Sequence, residues 1–572
     1  MRVFLGLILL AGCGPKEPAT VDDPPVDTDE KPDNDALLAA AAALYAPDRM
    51  LEIEIEMAIE DGASLAAETN SIFNLLEGED CLDEPPNAPF NWYPGNIVID
   101  GERIDNVGFR KKGLIGSLST SKPGLKVEFD KYVDGQTFDG LERLTLNNSV
   151  SDSSLVRQCL GYQLFRDAGI AAPRCNFAHV TIAGQDLGVY VNVEPVKKTF
   201  LKWAFDGDDD GQLYEGTLSD FRDDWTATFE PKTKDSDPGL GPIHDVREAL
   251  EIAEHDSMIA VLGAALDLEN FYDFWVMELL IGHVDGYTAN ANNYFVYQPE
   301  ETGLLEFMPW GIDSTFEHFS SSGADSSQMV FANSQLSRRL WENPDSRAVY
   351  YEHMERLLGS VWHADEILAE VDRMADLVEP FAIDDAAWRA ESQDQLRGFI
   401  GGRAAEMQAL MEEPPHVFDE PLRTDICLIE AGTLRLDFDT TWATLQSVDP
   451  LGEGYGRVSG DLDGVPFDMS GGAIAGFDGG NASFAPLASI DDYRLRYGLV
   501  ALSEEDAAVG TFALDGVSAQ AVLAELDLTD GEETIVIGTA WSGTLTLEEF
   551  TGVDGSPVRG HMEGVLYTGG PF

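Results

Sequence analysis

The chain has 572 residues, of which 44% are apolar, and a formal net charge of −67 at pH 7. This length allows about three or four domains, and the apolar content is enough for large cores. A surface this acidic repels phosphate backbones and anionic membrane surfaces, so the charge excludes nucleic acid as a partner. It suits a protein in a salty or cation-rich exterior, although an acidic surface by itself carries no information about chemistry.

The N-terminus predicts export. Arg2 precedes a short apolar run, Val3–Leu10, and small residues then lead to Cys13. The run is too short to span a bilayer and is typical of a signal peptide. The end of this apolar run, the small residues after it and Cys13 together resemble the lipobox of bacterial lipoproteins. The resemblance implies cleavage before Cys13, a lipid on its sulfur and a membrane-anchored protein that is periplasmic or on the cell surface. An ordinary signal peptide with an incidental cysteine is the alternative.

Four further cysteines are Cys81, Cys159, Cys175 and Cys427. Outside the cytoplasm they can form disulfides, with three alternative connectivities. We favour Cys159–Cys175, which would join a helix to the next strand. No CxxC motif or His/Cys cluster indicates a zinc site.

Periodicity predicts a β-rich region, then a helical region, then a second β region. Strands are predicted at Met50–Met57, Leu125–Phe129, Asn176–Ile182 and Gly188–Glu194, and helices at Ser151–Ala168, Val246–Leu266, Glu269–Ile281 and about 335–413. From about Phe418, glycine, threonine and alternating apolar residues dominate. This composition predicts a separate β-sandwich or barrel-like domain, for which structural or adhesive use is the default.

An acidic turn, Asp206–Gly211, matches the start of a calcium loop. Asp206, Asp208 and Asp210 alternate, and a glycine stands sixth. Thr217 stands where the final bidentate acid belongs, which argues against a true EF-hand. A turn with weak calcium affinity and a plain acidic turn both stay open.

A hairpin is predicted from Tyr294–Tyr297 and Leu304–Trp310. Asp285 stands before its first strand and Asp313 after its second. Because a hairpin brings its outer ends together, an acid from each end and an intervening asparagine can meet around a hard cation. From spacing alone, two loop aspartates that cap a hairpin are the simpler interpretation.

Several stretches together resemble the spore coat protein H (CotH) kinases, an atypical protein-kinase-like family. They are VGFRKKG, FDGLERLTLNNSVSDSSLVRQCLGYQLFRDAGIAAPR, GVYVNVEPV, GQLYEG, HVDGYTANANNY and MPWGIDSTF, in an order and spacing that cover about Met50 to Met411. The resemblance implies a kinase-like fold that holds ATP with Mg²⁺ or Mn²⁺ and transfers the γ-phosphoryl group to Ser or Thr of a protein. Each stretch alone would be a weak signal.

The resemblance also implies roles for single residues. Lys122 would pair with the nucleotide phosphates, and Glu194 would lie at the edge of the nucleotide cleft. Asp285 would be the catalytic aspartate that orients the substrate hydroxyl. Asn290 keeps the kinase offset from Asp285, but Asn293 keeps the position just before the strand, and we favour Asn293 as the metal-binding amide.

One departure is serious. The family reads W-D-x-D after the second strand, and its first acid binds metal, whereas this chain reads Trp310-Gly311-Ile312-Asp313. In an extended segment Asp313 would lie about 6–7 Å from the position of the missing carboxylate. It can replace that ligand only if the backbone curls, which glycine permits.

The predicted fold is therefore α+β: an atypical protein-kinase-like core with a helical C-lobe, followed by an all-β, sandwich-like domain. The boundaries are 1–13 for the signal and lipobox, 14–38 for a disordered acidic tether, 39–415 for the core and 416–572 for the β domain. Three functions stay open. They are an exported, lipid-anchored protein kinase, a non-catalytic surface or envelope-binding protein, and a calcium-dependent adhesin that uses the acidic turn.

Overall fold

A computed structural model describes residues 34–569 apart from short gaps. The gaps are 71–74, 87–88, 114–116, 234–238, 319, 322–323, 326–327, 425, 479–480, 492, 504–506, 515–517 and 528–532. The signal, Cys13 and most of the tether lie outside the described residues. Helices and sheets are both present, so the α+β class is confirmed.

The helices divide into short ones near the N-terminus and a longer group in the middle of the chain. In order they are α1 (Asn34–Leu44), α2 (Ile59–Ala67), α3 (Arg157–Asp167), α4 (Lys198–Ala204), α5 (Gly241–Ile252), α6 (Met258–Leu262), α7 (Leu268–Leu280), α8 (Tyr287–Asn290), α9 (Gln335–Glu342), α10 (Pro344–Ser360), α11 (Ala364–Val378) and α12 (Ala386–Met411).

The strands belong to four sheets. In order they are β1 (Met50–Glu56), β2 (Trp92–Ile99), β3 (Glu102–Lys112), β4 (Gly124–Glu128), β5 (Arg143–Asn147), β6 (Cys175–Ile182), β7 (Gln185–Val193), β8 (Gln212–Gly216), β9 (Glu230–Pro231), β10 (Tyr294–Gln298), β11 (Glu306–Pro309), β12 (Ser320–Ser321), β13 (Ala324–Asp325), β14 (Ile429–Thr441), β15 (Tyr455–Leu462), β16 (Val465–Asp478), β17 (Asn481–Ser489), β18 (Arg494–Ser503), β19 (Gly510–Ala513), β20 (Gln520–Asp527), β21 (Glu533–Glu549) and β22 (Pro557–Thr568).

The first seven strands form a closed barrel in the order β1-β2-β3-β4-β5-β7-β6. The β1 strand illustrates why, since Leu51, Ile53 and Ile55 are buried while Glu52 and Glu54 are exposed. This alternation puts one face of the strand into the barrel core. β1 pairs antiparallel with β2 and parallel with β6, which closes the barrel.

A second, four-stranded sheet has the order β11-β10-β8-β9 and packs with the helices. The helix α7 begins at an N-cap, Asp267, whose side chain accepts a hydrogen bond from the Asn270 backbone N–H at 3.0 Å. Most of its side chains are buried, including Phe274 and Trp275 at 0% exposure. It is thus the central helix of the largest apolar core.

The C-terminal strands form one nine-stranded sheet in the order β19-β21-β20-β18-β17-β16-β15-β14-β22. β21 also pairs with β22, from Thr539↔Tyr567 onwards, so the sheet closes on itself. Apolar side chains such as Leu436, Phe484 and Leu545 fill its interior. The all-β prediction is confirmed here, and of the two predicted arrangements the barrel-like one is formed and the sandwich is not. Turn signals do not decide between the two, because closure depends on a pairing between strands.

Two disulfides are formed. Cys159–Cys175 joins α3 to β6, as predicted, and Cys81–Cys427 joins residues 346 apart. Close to the second disulfide, Trp541 and Tyr567 of the C-terminal sheet share an apolar cluster with residues of the preceding region. The C-terminal sheet therefore packs directly on the rest of the molecule.

Two predicted helices differ from the structure. The helix predicted from Ser151 begins at Arg157, because the Asp152 carboxylate accepts the backbone N–H groups of Ser154 and Arg157 and holds a turn there. The helix predicted at Val246–Leu266 ends at Ile252 and resumes at Met258. Among the described residues, no helix is both long and apolar enough to cross a membrane.

Candidate functional site

The site is built on the β10–β11 hairpin, which is formed as predicted. Tyr294 pairs with Pro309, and the Trp310 backbone N–H donates to the Asn293 carbonyl at 3.1 Å. The residues that flank the hairpin are therefore adjacent, so Asp285 and Asp313 lie within electrostatic reach of each other. The structure brings these two acids together.

Three asparagine amides hold the Asp285 carboxylate. Asn290 Nδ2 donates to Oδ1 at 2.6 Å, Asn292 Nδ2 to Oδ1 at 3.1 Å, and Asn293 Nδ2 to Oδ2 at 2.6 Å. Hydrogen bonds to an ionised carboxylate stabilise its charged form and fix its direction. Asp285 is half-buried, so it is positioned and still reachable.

A buried acid, Glu278, supports this loop from beneath. Its carboxylate accepts from the backbone N–H groups of Tyr287 and Thr288, at 2.8 and 2.9 Å, and from the Thr288 hydroxyl at 2.5 Å. It thereby caps the first turn of α8. His283 Nδ1 lies 3.5 Å from Glu278 Oε1, and both side chains are 0% exposed. Sequence reasoning missed Glu278, although a lone acid in the apolar run of α7 was a signal for it.

Gly311 and Asn293 fit each other closely. Both have left-handed backbones, with φ of 54° and 52°. A Cβ at position 311 would lie 2.5 Å from Asn293 Oδ1. The glycine therefore makes room for the Asn293 amide, which occupies the space of the side chain absent at 311. The chain curls after Trp310, as glycine was expected to permit.

Asp313 follows this curl and is half-buried. Its pKa is raised to about 6 by burial and by the charge of Asp285, while a backbone hydrogen bond and Lys112 act in the opposite direction. Two like charges in a partly desolvated place favour protonation of one of them or the binding of a cation between them. The second outcome suits a metal site.

Lys112, at the end of β3, is the basic residue whose charge acts on Asp313. Its ammonium group donates to Asn147 Oδ1 and lies 5.7 Å from the centroid of the Trp310 ring. Its pKa is lowered to about 8, mainly by burial and in smaller part by Lys126, while the charge of Asp313 opposes the change. Sequence reasoning placed Lys112 among surface lysines and did not single it out.

Lys122 has different surroundings. Its ammonium group lies 5.2 Å from the centroid of the Tyr190 ring. Burial lowers its pKa to about 8, and the charges of Asp384 and Asp152 oppose this. The charge of Asp152 affects the pKa of both Lys122 and Asp313, whereas Lys112 is the lysine whose charge acts on Asp313 itself.

Glu194 is almost fully buried and is held by other side chains. Arg174 donates to its two oxygens at 2.5 and 2.8 Å, and Trp203 Nε1 donates at 3.2 Å. The Arg174 guanidinium also stacks on the Trp203 ring, 4.8 Å from its centroid. The Glu194 carboxylate thus ties the end of β7 to α4.

A group of basic side chains lies on β3 and β4, on the face that carries Lys112. Arg110, Lys112 and Lys126 lie on one face of β3 and β4, since Arg110 pairs with Lys126. Burial acts to raise the pKa of Glu215 on β8, but three lysines outweigh it and hold that pKa below its usual value: Lys232, Lys126 and Lys197. In a chain of net charge −67 this is a local concentration of positive charge that suits an anionic ligand.

The acidic turn forms separately from the site. Asp208 Oδ2 accepts from the Glu301 backbone N–H at 2.9 Å, Asp210 pairs with Lys198 at 2.9 Å, and Asp206 has φ of 49°. Within the described residues, no group of three or more His, Cys, Asp or Glu side chains is arranged to hold a metal ion. The Asp285–Asp313 pair has only two acids, and its third polar group is an amide.

The comparisons with known proteins agree with the sequence resemblance. A family model described as CotH kinase protein matches residues 109–407, a little over half of the chain. The inner spore coat protein H of Bacillus subtilis (strain 168) is 23% identical over 267 residues, which are 44% of this chain and 72% of that protein. An inner spore coat protein H-like protein of the same organism is 24% identical over 280 residues, 46% of this chain and 79% of that one.

A solved structure also matches, the complex of the Shewanella oneidensis MR-1 toxin–antitoxin system HipA, HipB and its operator DNA. It shares 12% identity over 64% of this chain and 75% of that chain, and its TM-score of 0.28 is too low to support an argument. The family match rests instead on residues 109–407, a range that contains Asp285, Asn293 and Asp313. This chain belongs to the CotH kinase protein family.

Proposed function

We propose that this chain is an exported, lipid-anchored protein kinase that transfers the γ-phosphoryl group of ATP to Ser or Thr of a protein substrate. The observation that supports this most is the meeting of Asp285 and Asp313 at the two ends of one hairpin, with the charge of Lys112 acting on Asp313. Phosphoryl transfer asks a protein mainly for positioning and charge neutralisation. Two oriented acids and a cluster of lysines provide both.

Asp285 is the group that accepts the proton of the substrate hydroxyl. Its oxygens already point in directions fixed by three amides. The hydroxyl oxygen forms the new bond to the γ-phosphorus, the bond from that phosphorus to the bridging oxygen of ADP breaks, and the proton passes to Asp285. Atoms and charge therefore balance without a further reactant.

A divalent cation fits the residues next to Asp285. The donor set is two carboxylates, Asp285 and Asp313, with the amide oxygen of Asn293, and all are hard oxygen ligands suited to Mg²⁺ or Mn²⁺. The raised pKa of Asp313 supports this fit, because a cation would relieve the repulsion that raises it. When bound, such a cation supplies positive charge to the phosphates.

The phosphates are assigned to the lysine-lined cleft. Lys112 is the best placed of the lysines for the γ-phosphate, because Asp313 is among the groups that act on it. Lys126 and Lys197 lie further along the cleft, next to Glu215. We assign Lys122, whose neighbours are Tyr190 and Asp384, to a secondary role, and Glu194 to support of the cleft edge.

One observation favours a second function, that of a non-catalytic binding protein in the cell envelope. Gly311 replaces an acid that family members use for metal, and the Asn293 oxygen lies against that glycine. In this hypothesis the core is a scaffold and the C-terminal sheet binds an envelope protein or polymer. Export and lipid anchoring, which rest on Cys13 and the residues before it, are common to both functions.

The deciding experiment uses the full chain and its Asp285→Asn variant. Each is incubated with ATP and Mn²⁺, alone and with envelope proteins, and phosphosites are mapped by mass spectrometry. We expect phosphoserine or phosphothreonine with the wild type, and a rate lower by about 10²–10⁴-fold with the variant. A wild-type protein that neither binds nucleotide nor forms phosphosites would exclude the kinase and leave the binding function.

A further inference from the structure

The segment that links the helical region to the C-terminal sheet passes over the catalytic loop. This connecting arm, residues 412–428, lies beyond the family match, which ends at 407. Two buried side chains of α9 hold its first half. Trp341 Nε1 donates to the His416 carbonyl at 2.8 Å, and Arg338 Nη1 donates to the Glu420 carbonyl at 2.9 Å.

The far end of the arm is fixed covalently. Cys427 forms the disulfide with Cys81, and the neighbouring Leu428 exchanges backbone hydrogen bonds with Leu76 and Gly78, at 2.6 and 3.1 Å. The same place is covered by Trp541 of the C-terminal sheet. The arm is therefore anchored on both sides of Arg423.

Between these anchors, Arg423 reaches the catalytic loop. Its Nη2 donates to Asn290 Oδ1 at 3.2 Å, and Asn290 Nδ2 donates to Asp285 Oδ1 at 2.6 Å. The Arg423 carbonyl accepts a hydrogen bond from Arg222, whose guanidinium lies 3.9 Å from the centroid of the Trp225 ring. One amide thus connects the arm to the catalytic aspartate.

The orientation of that amide matters. An asparagine presents a donor at one end and an acceptor at the other, and a rotation of its side chain exchanges them. With Arg423 donating to Oδ1, only the orientation that points Nδ2 at Asp285 satisfies both neighbours. Without Arg423, the amide oxygen loses its donor, and the Asn290 side chain is held at one end only, by its bond to Asp285.

We propose that Arg423 is a positioning residue for phosphoryl transfer, which acts on Asp285 through Asn290, and that the Cys81–Cys427 disulfide holds the arm that carries it. This inference rests on the proposed function for its effect on rate, but the effect on the loop is independent of activity. It gives the C-terminal region a part in the site, because the arm is anchored beneath the C-terminal sheet.

The rate experiment compares Arg423→Ala and Arg423→Lys with a matched control, Arg457→Ala, which removes an exposed arginine paired with Asp468 in the C-terminal sheet. We expect kcat to fall about tenfold in Arg423→Ala, because a displaced catalytic group costs rate. The KM for ATP stays within about twofold of wild type, since Arg423 acts on Asp285, whereas ATP is assigned to the lysines. Lysine, which can still donate to Asn290, restores most of the rate, and Arg457→Ala has wild-type kinetics.

The loop experiment measures hydrogen exchange of a peptide that spans residues 283–293. We expect faster exchange in Arg423→Ala and in the Cys81→Ser/Cys427→Ser double variant, and wild-type exchange in Arg457→Ala. Wild-type exchange in Arg423→Ala would overturn the proposal, as would a wild-type kcat in that variant. If the wild type transfers no phosphate, the proposed function fails, and the exchange result alone decides whether Arg423 orders the loop.

Discussion

Two acidic clusters of this molecule suggest cation binding from the sequence, and they differ in how their carboxylates are used. In the acidic turn, Asp210 pairs with Lys198, and their side chains are 68% and 59% exposed. Asp209 lies 3.8 Å from Lys202, and Asp208 accepts a backbone N–H. Each of these carboxylates has a partner within the turn or beside it, and exposed ion pairs of this kind contribute little to stability.

At the hairpin site the two acids are close enough for the charge of Asp285 to raise the pKa of Asp313. Asp285 is held by neutral amides, which orient it without cancelling its charge. Asp313 is partly desolvated next to Asp285, and its pKa rises as a result. The spacing of acidic residues along the chain therefore does not identify a cation site. What matters is whether neighbouring groups neutralise the acids or leave their charges to be compensated by a ligand.

The largest expected effect separates the two clusters directly. Asp313→Asn removes one of the two opposed charges, and we expect phosphotransfer to fall by about 10²-fold or more, since charge neutralisation is the main contribution to rate. The rise in melting temperature on adding Mn²⁺ should disappear as well. Asp208→Asn is the matched change in the acidic turn. It should leave the phosphotransfer rate and the Mn²⁺-dependent rise in melting temperature within twofold of wild type. An equal loss in the two variants would contradict the distinction drawn here.

A stability experiment tests how Gly311 shapes the site. Gly311→Ala places a Cβ at a left-handed position and against Asn293, and we expect the free energy of unfolding to fall by about 1–3 kcal/mol. Gly303→Ala is the control, because Gly303 has φ of 63° and nothing within 4 Å of its added Cβ. It should cost only the backbone strain, about 1 kcal/mol. Equal losses would show that contact with Asn293 is unimportant. Urea denaturation measures both.

A pH-dependent effect is expected at Glu306, on the side of the hairpin near the acidic turn. Its pKa is raised from 4.5 to about 7, mainly by burial and in smaller part by the charges of Asp267 and Asp208. The native state therefore binds more protons than the unfolded state between these values, so the free energy of unfolding falls as the pH rises through this window. The Glu306→Gln variant should not show this fall in the free energy of unfolding.

Denaturation at two pH values checks this prediction. We expect Glu306→Gln to be more stable than wild type by about 1–2 kcal/mol at pH 8, after discounting for partial exposure, and no more stable at pH 4. Asp208→Asn should give a smaller gain in the free energy of unfolding at pH 8, because it removes only one of the causes that raise the pKa of Glu306. A gain that is the same at both pH values would show that packing, and not charge, is responsible.

Local patterns in the sequence were sufficient for much of the fold. The alternation in β1 and the hairpin signal around Pro299 and Gly303 depend on residues close in the chain, and both elements form where expected. The Cys159–Cys175 disulfide was also accessible, because its partners lie 16 residues apart. Asp285, Asn293 and Asp313 were identified through a resemblance, since their spacing alone favoured a structural interpretation.

Other features depend on contacts between distant segments. Lys112 and Lys122 flank one loop, and only the register of β3 with β4 decides which of them is next to Asp313. The pairing of Cys81 with Cys427 spans 346 residues, and Arg423 reaches Asn290 from outside the family match. Closure of the C-terminal sheet likewise depends on a pairing that no local signal specifies. Such contacts are a property of the assembled fold, and a single sequence carries no direct mark of them.

The smallest expected effect is that of calcium on the acidic turn. At about 1 mM, the weak end of extracellular calcium modules, we expect the melting temperature to change by less than about 1 °C, because Asp208 and Asp210 already have partners. If Lys198 and Lys202 neutralise the acids of this turn, the Lys198→Ala/Lys202→Ala double variant should show a calcium-dependent rise in melting temperature that the wild type lacks. A rise in the wild type would instead support a calcium-binding turn, and no rise in either protein would show that the turn lacks the geometry as well as the charge.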